Sequence, residues 1–326
     1  MTAMRQHPAL AVIRRLLYGV PLIAFVVALT FVLIRLSPTD PAVLLAGDAP
    51  TEEFLKQVRD RYHLDDPIGI QLLSFVGNAL RGDFGTSIYF QRPVFELIAQ
   101  HFPVTLLLTV SSLVVAAALG VTAGVMAASK QGGPADTGIT VVSLVGYSMP
   151  AFWIGQLLIL AFAIGLPWFP STGMTSARES YEGWEAVVDR LRHMVLPVAS
   201  LVLFELALIS RFTRAAMTQA LRQDYVIVAR AKGASQRRIL WRHALPNALV
   251  TVCTVLGLEF GFLLAGSVVT EIVFGWPGLG RLFFDAIFRR DFPLLTGCFI
   301  FTSTVVIVVN MATDLLIGVL DPRTLR

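Results

Sequence analysis

Leu16 to Ile34 contains no charged residue, and neither does Phe102 to Ser129. A helix needs about 20 mostly apolar residues to cross the hydrocarbon core of a bilayer, so each run predicts a membrane span. A third uncharged run starts at Gly138 and leaves the bilayer near Leu166, Pro167 and Trp168. A fourth extends from Met194 to about Thr213 and is interrupted by Glu205 and Arg211. The fifth, Ala248 to Thr270, is interrupted by Glu259, and the last, Phe292 to Thr313, precedes Asp314. The reading is an all-α integral membrane protein with six transmembrane helices. Composition agrees: 55% of residues are hydrophobic and the mean hydropathy is +0.70, which soluble domains rarely reach. Arg14 and Arg15 precede the first run as they would in a secretory signal. That run is long for a signal, and no A-x-A-like site follows before Arg35, so an uncleaved anchor is expected.

The distribution of Lys and Arg sets the expected orientation. With the N-terminus inside, the cytoplasmic segments carry Arg5, Arg14, Arg15, Lys130, a basic cluster from Arg211 to Arg242, Arg323 and Arg326. Both termini are then cytoplasmic. The segment from Ser37 to His101 is acidic on balance and too long for a simple connection, so it reads as an external subdomain. Pro38, Pro41 and Pro50 break its start. "TEEFLKQVRDRYHL" then has helical spacing, with Phe54, Leu55, Val58 and Tyr62 on one side and Thr51 placed as N-cap. "GDFGTS" (Gly82 to Ser87) reads as a turn. The expected divisions are 1–36 (tail and first span), 37–101 (external subdomain), 102–320 (membrane core, with a polar loop at 211–247) and 321–326 (tail).

Within that loop, "ARAKGASQRRILWRHALPNAL" (Ala229 to Leu249) carries Arg230, Lys232, Arg237, Arg238 and Arg242 with no acidic residue. Pairing with lipid phosphates accounts for the charge. It does not account for two helical segments around a glycine. The fourth span is predicted to continue as far as Gly233, which ends it in a left-handed cap. Ser235 then caps a short second helix with Ile239, Leu240 and Leu245 on its apolar side, and Pro246 marks re-entry into the fifth span. The result is a helix–turn–helix knuckle.

This stretch resembles the EAA loop of permease subunits in bacterial ATP-binding-cassette importers. Ala229, Gly233, Leu245 and Pro246 match that pattern, whereas Ile227, Val228 and His243 replace its Glu, first Ala and Ile. "DYVIVARAKGASQRRILWRHALPNAL" is closer to the variant in the dipeptide/oligopeptide/nickel permease branch. "LIRLSPTDPA" (Leu33 to Ala42), "YHLDDPIGIQ" (Tyr62 to Gln71), "RGDFGTS" (Arg81 to Ser87), "EIVFGWPGLGRL" (Glu271 to Leu282) and "DLLIGVLDPR" (Asp314 to Arg323) resemble that branch as well. The resemblance implies an inner-membrane permease that pairs with a second, different permease, two ATPase subunits and an external solute-binding protein. It implies ATPase docking at Ala229, Ala231, Gly233, Arg237, Arg238, Arg242, Leu245 and Pro246. It also implies uptake of peptides or similar solutes, with ATP and Mg held by the partners and no cofactor in this chain.

Motifs for other chemistries do not occur. None of the three lysines (Lys56, Lys130, Lys232) follows a glycine, as a phosphate-binding P-loop requires. The five histidines are scattered, without metal-ligand spacing, and no nucleophile–base constellation or nucleic-acid motif is evident. No catalytic or metal residue is assigned. Glu205 and Glu259 are expected near the bilayer midplane, where an ionisable group is a functional candidate. They are pathway candidates that would attract cationic substrates. The alternative is a proton-coupled secondary transporter using the same two residues. "EIVFGWPGLG" offers Phe274, Trp276, Pro277 and Gly278 as an exposed external gate or binding-protein contact.

Overall fold

A computed structural model describes residues 8–35, 42–43, 51–61, 65–176, 179 and 181–320. Pro38, Pro41, Pro50, Tyr62 and the tail 321–326 lie outside the described residues. In chain order the helices are α1 (Pro8–Arg35), α2 (Glu52–Arg61), α3 (Ile68–Leu80), α4 (Val94–Ser129) and α5 (Pro134–Ser148). Then come α6 (Ala151–Leu158, continuing as a π-helical Ile159–Gly165), α7 (Gly183–Leu221), α8 (Asp224–Ala231) and α9 (Gln236–Ala265). The last are α10 (Val268–Val273), α11 (Leu279–Phe288) and α12 (Phe292–Leu320). The fold is all-α: among the described residues the only β pairing is an isolated bridge between Thr86 and Pro93.

Among the described residues, four helices, α4, α7, α9 and α12, are long and apolar enough to cross a membrane. The third expected span is not one straight helix. α5 and α6 meet at 99°, with the break at Met149 and Pro150. Proline lacks an N–H and pushes the residue before it out of helical backbone; Met149 is extended, at φ −92° and ψ 131°. The first expected span is the 28-residue α1, of which Leu17–Val32 is the apolar part.

The chain forms two compact units. The first contains the described parts of Met1–Leu106 together with Leu264–Val268 and Pro277–Met311. α2 begins as expected: the Thr51 hydroxyl accepts the Phe54 N–H at 3.3 Å, and Glu52 and Glu53 occupy the first turn. α1 packs against α3, where the rings of Phe31 and Phe75 lie 5.7 Å apart. α4 starts at Val94, well before the apolar run at Phe102. Hydropathy marks where a helix enters the bilayer, not where it begins. Val94, Leu97 and Ile98 form an apolar face at helical spacing and join Leu279, Leu282, Ala286, Leu294 and Cys298 in a buried cluster. The Asp291 carboxylate fixes this region. It accepts the Ser87 hydroxyl at 2.5 Å, the Tyr89 N–H at 3.1 Å and, at the start of α12, the Leu294 N–H at 3.2 Å.

The second unit is Leu107–Leu263 with Val269–Trp276 and the described part of Ala312–Arg326. α7 is its axis: 61% of its most apolar stretch is buried, against 33% for each of the other long spans. α5 and α6 pack on it. α4 reaches it through Gly120 and Gly124. A Cβ at Gly120 would sit 2.9 Å from the Ile209 side chain, and one at Gly124 would sit 2.7 Å from the Ser210 carbonyl. This is the small-x-x-x-small spacing by which membrane helices approach closely, since burial from water does not drive their association.

Candidate functional site

The knuckle forms with the predicted chemistry but altered boundaries. α7 stops at Leu221, not at Gly233. Gln223 is extended and α8 starts at Asp224, whose carboxylate suits the positive end of the helix dipole. α8 closes as expected at Gly233, with φ +78°. The Ala234 N–H donates to the Ala229 carbonyl at 3.1 Å and the Gly233 N–H to Arg230 at 2.9 Å. These are the paired bonds of a Schellman motif, which needs a left-handed residue at this position. The Ser235 hydroxyl then caps α9 by accepting the Arg238 N–H at 3.4 Å.

The second helix is not a separate short segment. It runs into the fifth span through a π-helical stretch at Ile239–Ala244, in which the Leu245 N–H reaches back to the Leu240 carbonyl. The wider turn comes just before Pro246, whose ring would crowd the carbonyl four residues back in a regular helix. Pro246 therefore lies within a continuous helix.

Burial divides the expected docking residues into two groups. Ala229 packs with Val226 and Ile239 inside the knuckle. Leu245 joins Leu240, Ala244 and Ala248 against Val125 and Ala128 of α4 and Met217 and Ala220 of α7. These residues hold the knuckle rigidly to the ends of two spans. Ala231, Gly233, Arg237, Arg238, Arg242 and Pro246 are exposed. Beside them lie large apolar side chains absent from the sequence-based site: Ile227 is 60% exposed, Val228 51% and Trp241 44%. The signal for Ile227 was present, because it occupies the position of the pattern's Glu. The knuckle thus offers a mixed basic and apolar surface on a fixed frame.

A second feature was not anticipated. Arg214 of α7 grips Asp136 of α5 with both arms of its guanidinium, Nε to Oδ1 at 2.5 Å and Nη2 to Oδ2 at 2.7 Å. Oδ2 also accepts the Gly132 N–H at 2.9 Å. The fork matches carboxylate geometry and clasps the α4–α5 turn to the helix that leads into the knuckle. Asp136→Asn is expected to lower the apparent Tm of the solubilised protein. Arg214→Met in the same chain should add little further loss, because the two residues act as one unit. Additive losses in that double-mutant cycle would show the clasp to be two unrelated contacts.

Glu205 is fully buried on α7. Its carboxyl lies beside that of Glu259 of α9, which is half-buried. The structure thus brings the two acidic candidates together but gives them different access.

The external motif is corrected. Phe274 and Trp276 are 1% and 0% exposed, so they form no exposed aromatic pair. Gly155 of α6 makes room for the Phe274 ring; a Cβ there would lie 3.0 Å from it. The Gly173 N–H donates to the Phe274 carbonyl at 2.8 Å, and Gly275, at φ +58°, turns the chain so that the Trp276 N–H meets the Glu271 carbonyl at 2.8 Å. Gly278 is buried as well, and only Pro277 of the four stays exposed.

Two family models match the sequence: "Binding-protein-dependent transport system inner membrane component" over residues 120–326, and the N-terminal region of such membrane components over residues 10–109. The chain is 37% identical over 313 residues to the oligopeptide transport system permease protein AppB of Bacillus subtilis (strain 168), covering 96% of this chain and 98% of that protein. It is 41% identical over 325 residues to the di/tripeptide transport system permease protein DppB of Pseudomonas aeruginosa (strain UCBPP-PA14), covering 95% and 97%. It is 38% identical over 311 residues to the glutathione transport system permease protein GsiC of Escherichia coli O1:K1 / APEC, covering 95% and 97%.

Proposed function

Because the chain belongs to the binding-protein-dependent transport system inner membrane component family, we infer that it is a permease subunit of an ATP-binding-cassette importer for small peptides. The Lys/Arg distribution supports a cytoplasmic position for both termini and for the knuckle. There it receives one of two ATPase subunits. A second permease completes the pathway, and an external binding protein delivers the solute. ATP and Mg belong to the ATPases. The peptide assignment is supported by the relatives, whose names specify oligopeptides, di- and tripeptides, and glutathione. The proton-coupled alternative finds no support among them.

The observation that carries this reading is the knuckle's division into a buried and an exposed side. Its inner residues fasten it to α4 and α7, so a displacement of the outer surface moves those spans. The outer surface joins Ile227, Val228 and Trp241 to Arg237, Arg238 and Arg242, apolar anchors within a charged rim, as a specific protein interface needs. Cysteine placed at Ala231 or Arg238 in the complete complex is expected to cross-link to the ATPase. Proteoliposomes holding that complex and its binding protein should take up a tripeptide only when ATP is inside. If uptake occurs but neither position cross-links, the docking assignment is wrong. Uptake driven by a proton gradient without ATP would overturn the importer reading.

A further inference from the structure

A cleft of about 550 Å³ opens between α5 and α7. Three cross-contacts fix how its ends are arranged. Asp136 meets Arg214, Ser143 meets Ser210 at 2.9 Å, and the ring of Tyr147 stacks on Phe204 at 5.3 Å, so the two helices run antiparallel. Thr140, Arg211 and Arg214 therefore lie toward one end of the cleft, and Tyr147 and Leu208 toward the other.

The polar end is not neutral. Arg214 is committed to Asp136, which cancels its charge. Arg211 lies one turn earlier on the same helix, is exposed, and forms no ion pair among the described residues. It is also the first cation after the apolar part of α7, ten residues or roughly 15 Å before the helix ends at Leu221. One uncompensated positive charge thus sits where an apolar span meets its basic extension. Phe212 stands beside it, and toward the other end the cleft is walled by Tyr147 and Leu208. The flank of α5 beside the cleft also presents exposed Val141, Val142, Leu144 and Val145, a surface suited to hydrocarbon.

We propose that this cleft binds an anionic phospholipid, with Arg211 holding the headgroup phosphate and Tyr147, Leu208 and Phe212 bordering an acyl chain. A single net positive charge above apolar walls matches a lipid with one net negative charge, and basic pockets between membrane helices recruit such headgroups. A free phosphate ester would use Arg211 but leave the apolar walls without a partner. The lipid would bridge α5 and α7 beside the Asp136–Arg214 clasp, on the helix that leads into the knuckle. The proposal does not depend on which solute the chain transports.

The test uses the complete complex, delipidated and reloaded with phosphatidylglycerol or phosphatidylcholine of identical chains, with retained lipid counted by native mass spectrometry. Wild type should retain phosphatidylglycerol preferentially. Arg211→Gln should lower that retention roughly fivefold, the loss of one cation near a headgroup. Leu208→Trp, which fills the apolar end without touching the charge, should lower it as well. Excess glycerol phosphate should not displace the lipid; if it does, the site takes a soluble phosphate ester and the proposal falls. Equal retention of the two lipids, or unchanged retention in both variants, would overturn it. So would an efficient cross-link from Arg211→Cys to the second permease, because protein would then cover the cleft.

Discussion

A Gly233→Val chain is expected to reach the membrane at normal levels and to lose most of its ATP-driven uptake. The reason is conformational. A Cβ at Gly233 would have no atom within 4 Å, so no neighbour resists a side chain. The backbone resists it: at φ +78° a non-glycine residue costs roughly 1–2 kcal/mol, and β-branching makes this conformation worse. The chain can escape that strain by releasing the bonds from Ala234 to Ala229 and from Gly233 to Arg230. α8 then loses its fixed angle to α9. Ile227 and Val228 lie on α8, and Trp241 and the three arginines on α9, so the exposed surface breaks into two parts that a rigid partner cannot meet together. Uptake should fall about tenfold, equivalent to ~1.4 kcal/mol of lost coupling. Gly233→Asn is the control, because asparagine adopts left-handed backbone readily and should retain most activity. Equal losses in the two variants would show that the handedness of this turn is not what matters.

How much of this was legible in the sequence depended on the kind of signal. Gly233, Ser235 and Thr51 act within a few residues of themselves, so their roles could be read locally. The break between α5 and α6 was equally local. Met149–Pro150 announces it, but an uninterrupted apolar run masked the proline. Long-range fit was not legible. Phe274 and Trp276, seen alone, look like an exposed pair between turn residues. Both are buried, and for Phe274 the space is left by Gly155, more than a hundred positions earlier. The Asp136–Arg214 clasp joins residues 78 apart and had no pattern to reveal it. Gly120 and Gly124 did have one: their spacing in an apolar run signals a close helix contact and could have been read. The acidic pair stands between these cases. Depth followed from counting residues, but mutual contact and unequal access required the fold.

That inequality gives the second large effect. Glu259→Gln is expected to reduce uptake of a lysine-containing tripeptide relative to a neutral one of equal length, while Glu205→Gln affects both peptides alike. Counting from Val195, Glu205 lies about 10 residues into the apolar part of α7, roughly 15 Å deep. Counting from Leu249, Glu259 lies at a similar depth in α9, which runs the opposite way. A lipid-facing carboxylate there would cost about 2.5–3.5 kcal/mol, so the chain would not keep two without a polar environment or a role for them. Glu205 is fully buried and cannot meet a solute; its carboxyl faces Glu259. Glu259 is half-buried and can. A cationic side chain passing within reach would gain about 2 kcal/mol from that carboxylate at 8 Å and an effective dielectric constant of about 20. Removing it should shift the cationic-to-neutral uptake ratio by roughly tenfold or more. Glu205→Gln keeps the shape and a hydrogen-bonding group behind Glu259, so any loss should appear as lower stability, equal for both peptides. If Glu259→Gln lowers both uptakes in the same proportion, the acidic pair is a structural contact between α7 and α9 and the pathway assignment fails.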